Sequence, residues 1–154
     1  MPMPRVHVLN GPNLDLLGVR EPHIYGTQSL SDVERLCRQV TERHGLELIF
    51  RQTNAEYQLL DWVSQARQDV GVVINPAAFC YHSVALLDAL KMLQCPVIEV
   101  HISNLHRREA EWRARSILTV AVTGTITGLG VQGYPLALEH LAFLIESTAT
   151  KRAS

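Results

Sequence analysis

Short runs of β-branched and aliphatic residues alternate with segments of helical periodicity along the whole chain, without a repeat, a linker or a change of composition. Five runs are predicted strands, at residues 5–10, 46–53, 70–76, 96–103 and 117–127. Four amphipathic segments are predicted helices, at residues 29–45, 57–69, 82–93 and 134–148. The run VGVVINP at 70–76 is apolar on both faces, which indicates a strand covered on both sides.

Parallel strands need long crossover connections, and the predicted helices supply them. The pattern therefore predicts a three-layer, doubly wound α/β fold with a five-stranded parallel sheet, of the flavodoxin-like type. A chain of 154 residues is long enough for one such core, so residues 1–154 are expected to form a single domain. Residues 1–4 and 149–154 lie outside the predicted elements and are expected to be flexible ends.

Polar side chains collect where the predicted strands end. Four strands end in, or are followed by, hydrogen-bonding residues: Asn10, Asn13, Asn54, Glu56, Asn75, Glu99, His101, Ser103, Asn104 and His106. Turns favour Asn and Ser in any case, but ligands of open parallel sheets bind outside the carboxyl ends of the strands. The repetition over four strands therefore indicates a binding or catalytic site at this edge.

The first strand is followed by a connection of 20 residues, NGPNLDLLGVREPHIYGTQS at 10–29. Connections in compact domains are usually about 4 to 6 residues long, and longer ones are disordered or functional. This segment has no hydrophobic repeat long enough for a helix, and it is not of low complexity. It is therefore predicted to be a functional loop and a candidate lid over the site.

Charge and composition argue against several kinds of partner. The 14 basic and 15 acidic residues nearly cancel, so no broad field would attract nucleic acid or an anionic membrane. The three cysteines, Cys37, Cys80 and Cys95, show neither CxxC nor metal-ligand spacing and are expected to be buried thiols. No apolar run is long enough for a signal peptide or a membrane span, so a reducing, cytoplasmic location is expected.

Two motifs have more than one interpretation. GLGVQG at 128–133 fits the GxGxxG pattern of dinucleotide-binding proteins, but only one helix follows it, without the later acidic strand residue that would bind a ribose. A tight turn and close packing of the last helix explain these glycines more simply. HRREAEWRAR at 106–115 is interrupted by Glu109 and Glu111, which favours a solvated or interface helix over a nucleic-acid surface. A single arginine in it could still bind a carboxylate.

His101 and Tyr25 are the main candidates for acid–base chemistry, and each also has a structural interpretation. His101 alternates with apolar neighbours in VIEVHIS, as a core histidine would, but it lies at the end of a strand. Tyr25 could simply pack the loop down. Arg20 is close to it in sequence, and a guanidinium held against a phenol favours the phenolate. A tyrosinate and a histidine would together supply a base and an acid without a metal or cofactor.

Six segments resemble, in order and spacing, the type II 3-dehydroquinate dehydratases: VLNGPNLDLLGVREPHIYG, QLLDWV, VVINPAAF, SVALLDAL, VIEVHISNLHRRE and GLGVQGYPLAL. The resemblance covers nearly the whole chain. It implies a flavodoxin-like enzyme that dehydrates 3-dehydroquinate to 3-dehydroshikimate, in the shikimate or quinate pathway, with no metal, Schiff base or other cofactor. It also implies a homo-oligomer built from trimers, namely a dodecamer.

The resemblance also assigns catalytic roles by position. Tyr25 would be the base, Arg20 the group that favours its phenolate, and His101 the acid that protonates the departing hydroxyl. Asn13 would position a water that stabilises the enolate, because a base alone is insufficient for a weakly acidic proton. Glu99 would orient His101 by hydrogen bonding.

Substrate-binding positions of the family are matched by Asn75, Tyr81, Asp88, Ile102, Ser103 and Arg113. Arg113 would face the substrate carboxylate, and Asp88 would reach the active site of a neighbouring subunit. For Ile102 and Ser103, the resemblance points to the backbone.

Several positions depart from the family pattern. CYHS at 80–83 has Tyr81 and His82 where the family commonly has His and Thr, and Leu87 stands where Arg would be expected. One extra residue follows Glu109, while Arg115 and Ile117 replace a common His and Tyr. These changes touch substrate binding and the trimer contact but spare the acid–base groups.

The departure at CYHS leaves a choice between two neighbouring side chains. Tyr81 is the better candidate for the site, because side chains at adjacent helix-start positions diverge by about 100°. Two other functional hypotheses also stay open. The protein could be a divergent paralogue that binds or dehydrates a related polyhydroxy cyclohexane carboxylate, or a flavodoxin-like binder of a nucleotide or flavin.

Overall fold

A computed structural model describes residues 2–154. The strands within these residues are β1 (Arg5–Asn10), β2 (Glu47–Gln52), β3 (Gly71–Asn75), β4 (Val97–His101) and β5 (Gly124–Thr127). The α-helices are α1 (Pro22–Tyr25), α2 (Leu30–Arg43), α3 (Glu56–Gln65), α4 (Val84–Lys91) and α5 (Gly133–Ala153). Short 3₁₀ turns join several of them, among them Leu14–Leu16 and Ala77–Tyr81.

The five strands form one parallel sheet in the order β2-β1-β3-β4-β5. This is the strand order of the flavodoxin-like folds, so the predicted fold class is confirmed. The direction of strand addition reverses at β1, which pairs with β2 on one side and β3 on the other. The crevice of such a sheet opens at this reversal, beyond the carboxyl ends of β1 and β3.

Helices cover both faces of the sheet, which explains why the strands are apolar on both sides. On one face, α2 and α5 pack through Val33, Cys37, Val40, Ala137, Leu138 and Leu141. On the other face, α3 and α4 pack through Leu59, Val63, Leu86 and Leu90. Successive residues of β1 serve the two layers in turn, since Val8 belongs to the first cluster and Leu9 to the second.

Helix α2 begins where the long loop ends, and its sequence explains why. The Ser29 hydroxyl accepts a hydrogen bond from the Asp32 amide, and the Asp32 carboxylate accepts one from the Ser29 amide. This reciprocal capping box satisfies two amide donors at the helix start. Gly45, at φ 65°, follows the helix in the left-handed conformation that glycine tolerates. Both ends of the helix are thus set by local sequence.

The second predicted helix ends at Gln65 rather than at residue 69, and residues 106–115, expected to be a helix, form two short 3₁₀ turns, Leu105–Arg107 and Glu111–Ala114. Three further predicted boundaries are wrong. Residues 117–121 form a 3₁₀ turn instead of the start of the fifth strand, because Leu118 is fully buried against the α4 layer and its amide is capped by Ser116. Pairing with β4 begins only at Thr123, whose amide donates to the Val97 carbonyl. The long loop contains one α-helical turn, Pro22–Tyr25, and one 3₁₀ turn, Leu14–Leu16, where neither was predicted.

The third boundary is the end of the last helix. It was predicted at residue 148, but α5 continues to Ala153, so residues 149–153 are helical where a flexible end was expected. No Gly or Pro follows Thr148 to stop the helix. The hydroxyls of Ser147, Thr148 and Thr150 donate to carbonyls four residues earlier, which is compatible with continued helix.

Candidate active site

A pocket lies at the carboxyl edge of the sheet, next to the reversal of strand order. It is lined by nine of the residues expected from the sequence: Asn13, Arg20, Tyr25, Asn75, Tyr81, His101, Ile102, Ser103 and Arg113. Apolar walls come from the long loop and the turn after β3, including Leu14, Leu17, Ala77 and Ala78. Arg108 also lines the pocket. Segments far apart in sequence therefore converge on one concave, polar site.

The backbone around the pocket is held in uncommon conformations. Among residues 2–154, three residues other than glycine have a positive φ: Asn13 at 69°, Glu21 at 44° and Ala77 at 49°. The Asn13 amide donates to Asn54 Oδ1 (2.9 Å). The Ala77 amide donates to Asn75 Oδ1 (3.1 Å). Such conformations are unfavourable for residues other than glycine and cluster at functional sites, which agrees with the position of this pocket.

The Tyr25 hydroxyl is bound by an arginine that the sequence did not single out. Arg108 Nη2 donates to Tyr25 Oη (2.7 Å) and to Ser103 Oγ (3.0 Å). The Arg20 guanidinium instead lies 5.9 Å from the centre of the Tyr25 ring and pairs with Glu21 at 3.5 Å. Two cations therefore flank the phenol, and the direct hydrogen bond comes from Arg108 rather than from Arg20.

His101 is backed by a buried carboxylate. Glu99 is fully buried, and its Oε2 lies 2.5 Å from His101 Nε2. Because this contact engages Nε2, the other ring nitrogen of His101 is the one left to exchange a proton with a bound molecule. Glu99 does not line the pocket, so it contacts the site only through His101. The contact expected between these two residues is present.

Asn75 is fixed by a chain of hydrogen bonds that joins four elements, β3, α5, β1 and β2. Its Nδ2 donates to Tyr134 Oη (2.8 Å), the Tyr134 hydroxyl donates to Asn10 Oδ1 (2.7 Å), and Asn10 Nδ2 donates to the Arg51 carbonyl (3.1 Å). Burial raises the pKa of Tyr134, which keeps its hydroxyl proton available for this chain. Tyr134 was not predicted as a site residue, although it directly follows the GLGVQG motif.

The glycines of GLGVQG support the end of β4. The Gly128 amide donates to the His101 carbonyl (3.1 Å), and the Gly130 amide donates to the Ile102 carbonyl (3.0 Å). Both glycines have a positive φ, of 88° and 63°. A Cβ at Gly128 would lie 2.8 Å from Asn104 Cβ, so a side chain there would clash. These two amides are occupied by the protein backbone, which agrees with the turn interpretation of the motif.

The two neighbouring candidates of the CYHS segment are placed differently. Tyr81 lines the pocket and its ring contacts Trp112 edge to face, with centroids 5.2 Å apart. Arg113 lies over both rings, 5.8 Å from the Tyr81 centroid and 5.1 Å from that of Trp112. Burial raises the pKa of Tyr81. His82 is exposed and lies against Phe79 outside the pocket.

Asp88 is the one substrate-binding candidate that the structure places outside the pocket of its own chain. It lies exposed on α4. A role in a neighbouring subunit would require such exposure, and that role stays a prediction. Lys91 and Lys151, the two lysines of the sequence, are also exposed and do not line the pocket. None of the helices described for residues 2–154 combines the length and apolarity needed to span a membrane.

The fold and the site define a flavodoxin-like α/β protein with a pocket at the carboxyl edge of its sheet that contains the Tyr25 phenol and the His101 imidazole. Among known families, the model of the class II dehydroquinases matches residues 4–142. The chain therefore belongs to the class II dehydroquinase family and is an enzyme of that family.

Individual relatives agree with this assignment. The chain is 52% identical to the 3-dehydroquinate dehydratase 2 of Agrobacterium fabrum over 143 residues, which cover 92% of this chain and 97% of the relative. It is 52% identical to the 3-dehydroquinate dehydratase 2 of Pseudomonas aeruginosa over 145 residues, which cover 94% and 97%. The solved type II dehydroquinase of Propionibacterium acnes is 48% identical, with a TM-score of 0.86 over 90% of this chain and 96% of that one.

Proposed function

We propose that this protein dehydrates 3-dehydroquinate to 3-dehydroshikimate, with Tyr25 as the base and His101 as the acid. One observation carries the proposal. A single pocket contains a phenol hydrogen-bonded to a guanidinium and an imidazole hydrogen-bonded to a fully buried carboxylate. The first arrangement favours a phenolate that can accept a proton, and the second favours an imidazolium that can donate one. The names of the relatives supply the substrate.

In the first step, the Tyr25 phenolate removes a proton from the carbon next to the substrate ketone. The electron pair of the broken C–H bond moves into the enolate. Arg108 and Arg20 provide positive charge on two sides of the phenol, which stabilises the phenolate before the step. Arg108 also donates a hydrogen bond to Ser103, which fixes the position of its guanidinium beside the phenol.

The enolate needs a donor that is in place before the charge develops. Asn13 belongs to the long loop and lines the pocket. Its backbone has a positive φ, a conformation that sets the direction of its side chain. We assign Asn13 to the positioning of a water molecule at the enolate oxygen. Asn75 lies in the same pocket and is held rigidly by Tyr134, which suits it to bind a substrate hydroxyl.

In the second step, His101 gives a proton to the departing hydroxyl as the C–O bond breaks, and the enolate electrons form the new C=C bond. Glu99 stabilises the imidazolium before this transfer and orients the ring. Tyr25 belongs to the long loop and His101 to the end of β4, so the two approach the pocket from different elements. We propose that they act on opposite faces of the substrate ring, which gives an anti elimination.

The substrate carboxylate is assigned to the side of the pocket formed by Ile102, Ser103 and Arg113. Arg113 lies in the pocket over the adjoining rings of Tyr81 and Trp112, and stacking on ring faces leaves the guanidinium donors available for an anion. We propose that Tyr81 contributes a hydrogen bond to the same substrate and that Asp88 acts in the pocket of a neighbouring subunit.

We also propose an assembly of trimers, as a dodecamer, in the cytoplasm and without a cofactor, a nucleic acid or a membrane partner. The support for association is the exposed α4 surface, where Val84 is 59% exposed on the same helix as Asp88. Light scattering of the active protein tests the assembly. A monomer with full activity would contradict it.

Absorbance tests the proposed reaction directly, because the product contains an enone conjugated with the carboxylate and the substrate does not. Purified protein is expected to raise the ultraviolet absorbance of a 3-dehydroquinate solution, also after treatment with a chelator or with borohydride. The exposed positions of Lys91 and Lys151 are the reason to expect no imine that borohydride would trap. No rise in absorbance, or inactivation by borohydride with a covalent adduct, would refute the proposal.

The second candidate function, a divergent paralogue, is favoured only by Tyr81 in the pocket wall. Tight binding of 3-dehydroquinate without turnover, together with turnover of a related cyclohexane carboxylate, would support it instead.

A further inference from the structure

The thiol of Cys80 lies beside Glu99 and His101, the carboxylate and the acid of the proposed reaction. Cys80, Glu99 and His101 are all buried, and one sulfur, one carboxylate oxygen and one ring nitrogen lie within 4.8 Å of one another. It is the one group of three such side chains that residues 2–154 bring this close together. Cys80 comes from the turn after β3, whereas Glu99 and His101 belong to β4. The cluster therefore depends on the fold and not on a sequence motif.

Two features of the cluster are unexplained by the proposed reaction. Glu99 Oε1 is buried without a hydrogen-bond partner within residues 2–154, although a buried carboxylate oxygen normally has one. The Cys80 thiol has no part in the proton transfers. An unpaired carboxylate oxygen next to a thiol and an imidazole is a donor set that suits a thiophilic cation.

We propose that Cys80, Glu99 and His101 form an inhibitory site for a thiophilic divalent cation such as Zn²⁺. Zinc binds sulfur at about 2.3 Å and nitrogen or carboxylate oxygen at about 2.0 to 2.2 Å, so three donors that already lie within 4.8 Å of one another need only small side-chain movements to bind one ion. The cation replaces the proton that His101 and Glu99 share, and the thiol proton is released to the buffer. A neutral imidazole bound to the cation through Nε2 keeps its Nδ1–H but is a much weaker acid than an imidazolium, so His101 no longer protonates the leaving hydroxyl at a useful rate and activity falls.

The position of the donors predicts how the cation enters. His101 lines the pocket, whereas Cys80 and Glu99 do not, so the imidazole stands between the pocket and the other two donors. A cation must pass the imidazole, and bound substrate blocks its path. Inhibition is therefore expected to develop slowly, to be prevented by substrate and to be reversed slowly by a chelator.

Two measurements test the site, and only one of them rests on the proposed function. In the first, purified protein in a reductant without thiols is titrated with Co²⁺, which absorbs in the near ultraviolet when a thiolate binds it. One Co²⁺ per chain should produce this absorption in the wild type and in Cys95→Ala, and Zn²⁺ should remove it. Cys95→Ala is the matched control, since Cys95 is a partly exposed thiol outside the cluster. No absorption in the wild type, or its loss in Cys95→Ala, would overturn the proposal. This test does not depend on whether the protein turns over 3-dehydroquinate.

In the second measurement, Zn²⁺ is added to the enzyme during turnover of 3-dehydroquinate. Cys80→Ala should keep turnover without Zn²⁺ and need at least about tenfold more Zn²⁺ for half inhibition, since one of three ligands is lost. Equal inhibition of wild type, Cys95→Ala and Cys80→Ala would show that zinc acts elsewhere and would overturn the proposal. If Cys80→Ala does not fold, Cys80→Ser is used, and the Co²⁺ titration of the wild type decides independently.

Discussion

Two buried pairs of a histidine and a carboxylate lie at opposite edges of the same sheet. At the amino edge, His7 Nε2 lies 2.6 Å from Asp69 Oδ2, and Arg5 Nε donates to Asp69 Oδ1 (3.0 Å). At the carboxyl edge, His101 Nε2 lies 2.5 Å from Glu99 Oε2. His7 is 1% exposed and His101 is 5% exposed. The two pairs are thus almost the same in local chemistry and in burial.

What differs is the surrounding structure. His101 faces a pocket that also contains Tyr25 and three guanidinium groups, whereas His7 does not line this pocket. Within residues 2–154, the residues other than glycine with positive φ, Asn13, Glu21 and Ala77, all lie in the connections that follow β1 and β3. A buried histidine–carboxylate pair by itself therefore does not mark a catalytic site. It can do chemistry only where a strained backbone and an open pocket bring a second reactive group beside it.

The largest expected effect tests this comparison with the same substitution at both edges. His101→Gln should lower kcat by about 10²- to 10⁴-fold, the range for loss of a general acid. His7→Gln should leave kcat within about twofold but lower Tm by roughly 4 to 10 °C, because a buried hydrogen bond to a charged group is lost. Steady-state kinetics and thermal unfolding measure both. A His7→Gln enzyme as inactive as His101→Gln would break the comparison.

A smaller effect is expected from the arginine that binds the phenol. Arg108→Gln should lower kcat by about 10- to 100-fold, because it removes a charge-assisted hydrogen bond from Tyr25. Arg107→Gln is the control, since it makes the same change of charge at an exposed neighbouring residue. If both variants lose activity equally, the general positive field rather than the hydrogen bond would be what matters.

The next effect distinguishes two adjacent residues, one inside the pocket and one outside it. Tyr81→Phe should raise KM more than it lowers kcat. The expected rise in KM corresponds to the loss of about 1 to 3 kcal/mol of binding free energy, as for a lost polar contact. His82→Thr should change either constant by less than about threefold, because His82 is exposed outside the pocket. Loss of substrate binding in His82→Thr with a silent Tyr81→Phe would show that His82 and not Tyr81 contacts the substrate.

The smallest effect concerns a third histidine–carboxylate pair, which lies at the surface. The hydrogen bond with Glu139 raises the pKa of His44 above 6.5, and the same contact lowers the pKa of Glu139 below 4.5. Its contribution to stability is therefore present between these values, and it is lost as the pH rises through the raised pKa of His44 or falls through the lowered pKa of Glu139.

His44→Gln should consequently lower Tm by roughly 1 to 3 °C at about pH 6, and by less at about pH 9. Thermal unfolding of both proteins at the two pH values checks this. A larger effect at the alkaline pH would reverse the sign of the argument, and a loss of kcat at either pH would tie a surface pair to catalysis.

The fold was predictable because its determinants are local. The alternation of strands and helices fixed four strands to within about two residues, and the Ser29 and Gly45 ends of α2 could be recognised from side-chain chemistry. The 3₁₀ turn at residues 117–121 could not be predicted, because its hydrophobic run fits a strand equally well. Burial of Leu118 against α4, a contact between distant segments, decides the outcome.

The site was predictable only in part, for the same reason. Its position followed from the rule for parallel sheets, and the family resemblance gave nine residues that line the pocket. Arg108 could not be distinguished from its neighbouring arginines in the sequence, because its contact with Tyr25 joins residues 83 positions apart. Tyr134 likewise meets Asn10 across 124 positions. The available signal was only that an arginine in residues 106–115 could serve the site, and that Tyr134 adjoins a glycine turn.

The central claim, that the carboxyl-edge pocket works through the Tyr25 phenolate, is tested most directly by Tyr25→Phe. The phenyl ring keeps the packing of the loop and removes only the oxygen that accepts the proton. The measurement is kcat from enone absorbance, together with the dissociation constant of 3-dehydroquinate for the variant. We expect kcat to fall by about 10²- to 10⁴-fold, while the dissociation constant changes little. Retention of most of kcat would show that another group takes the proton and would contradict the claim.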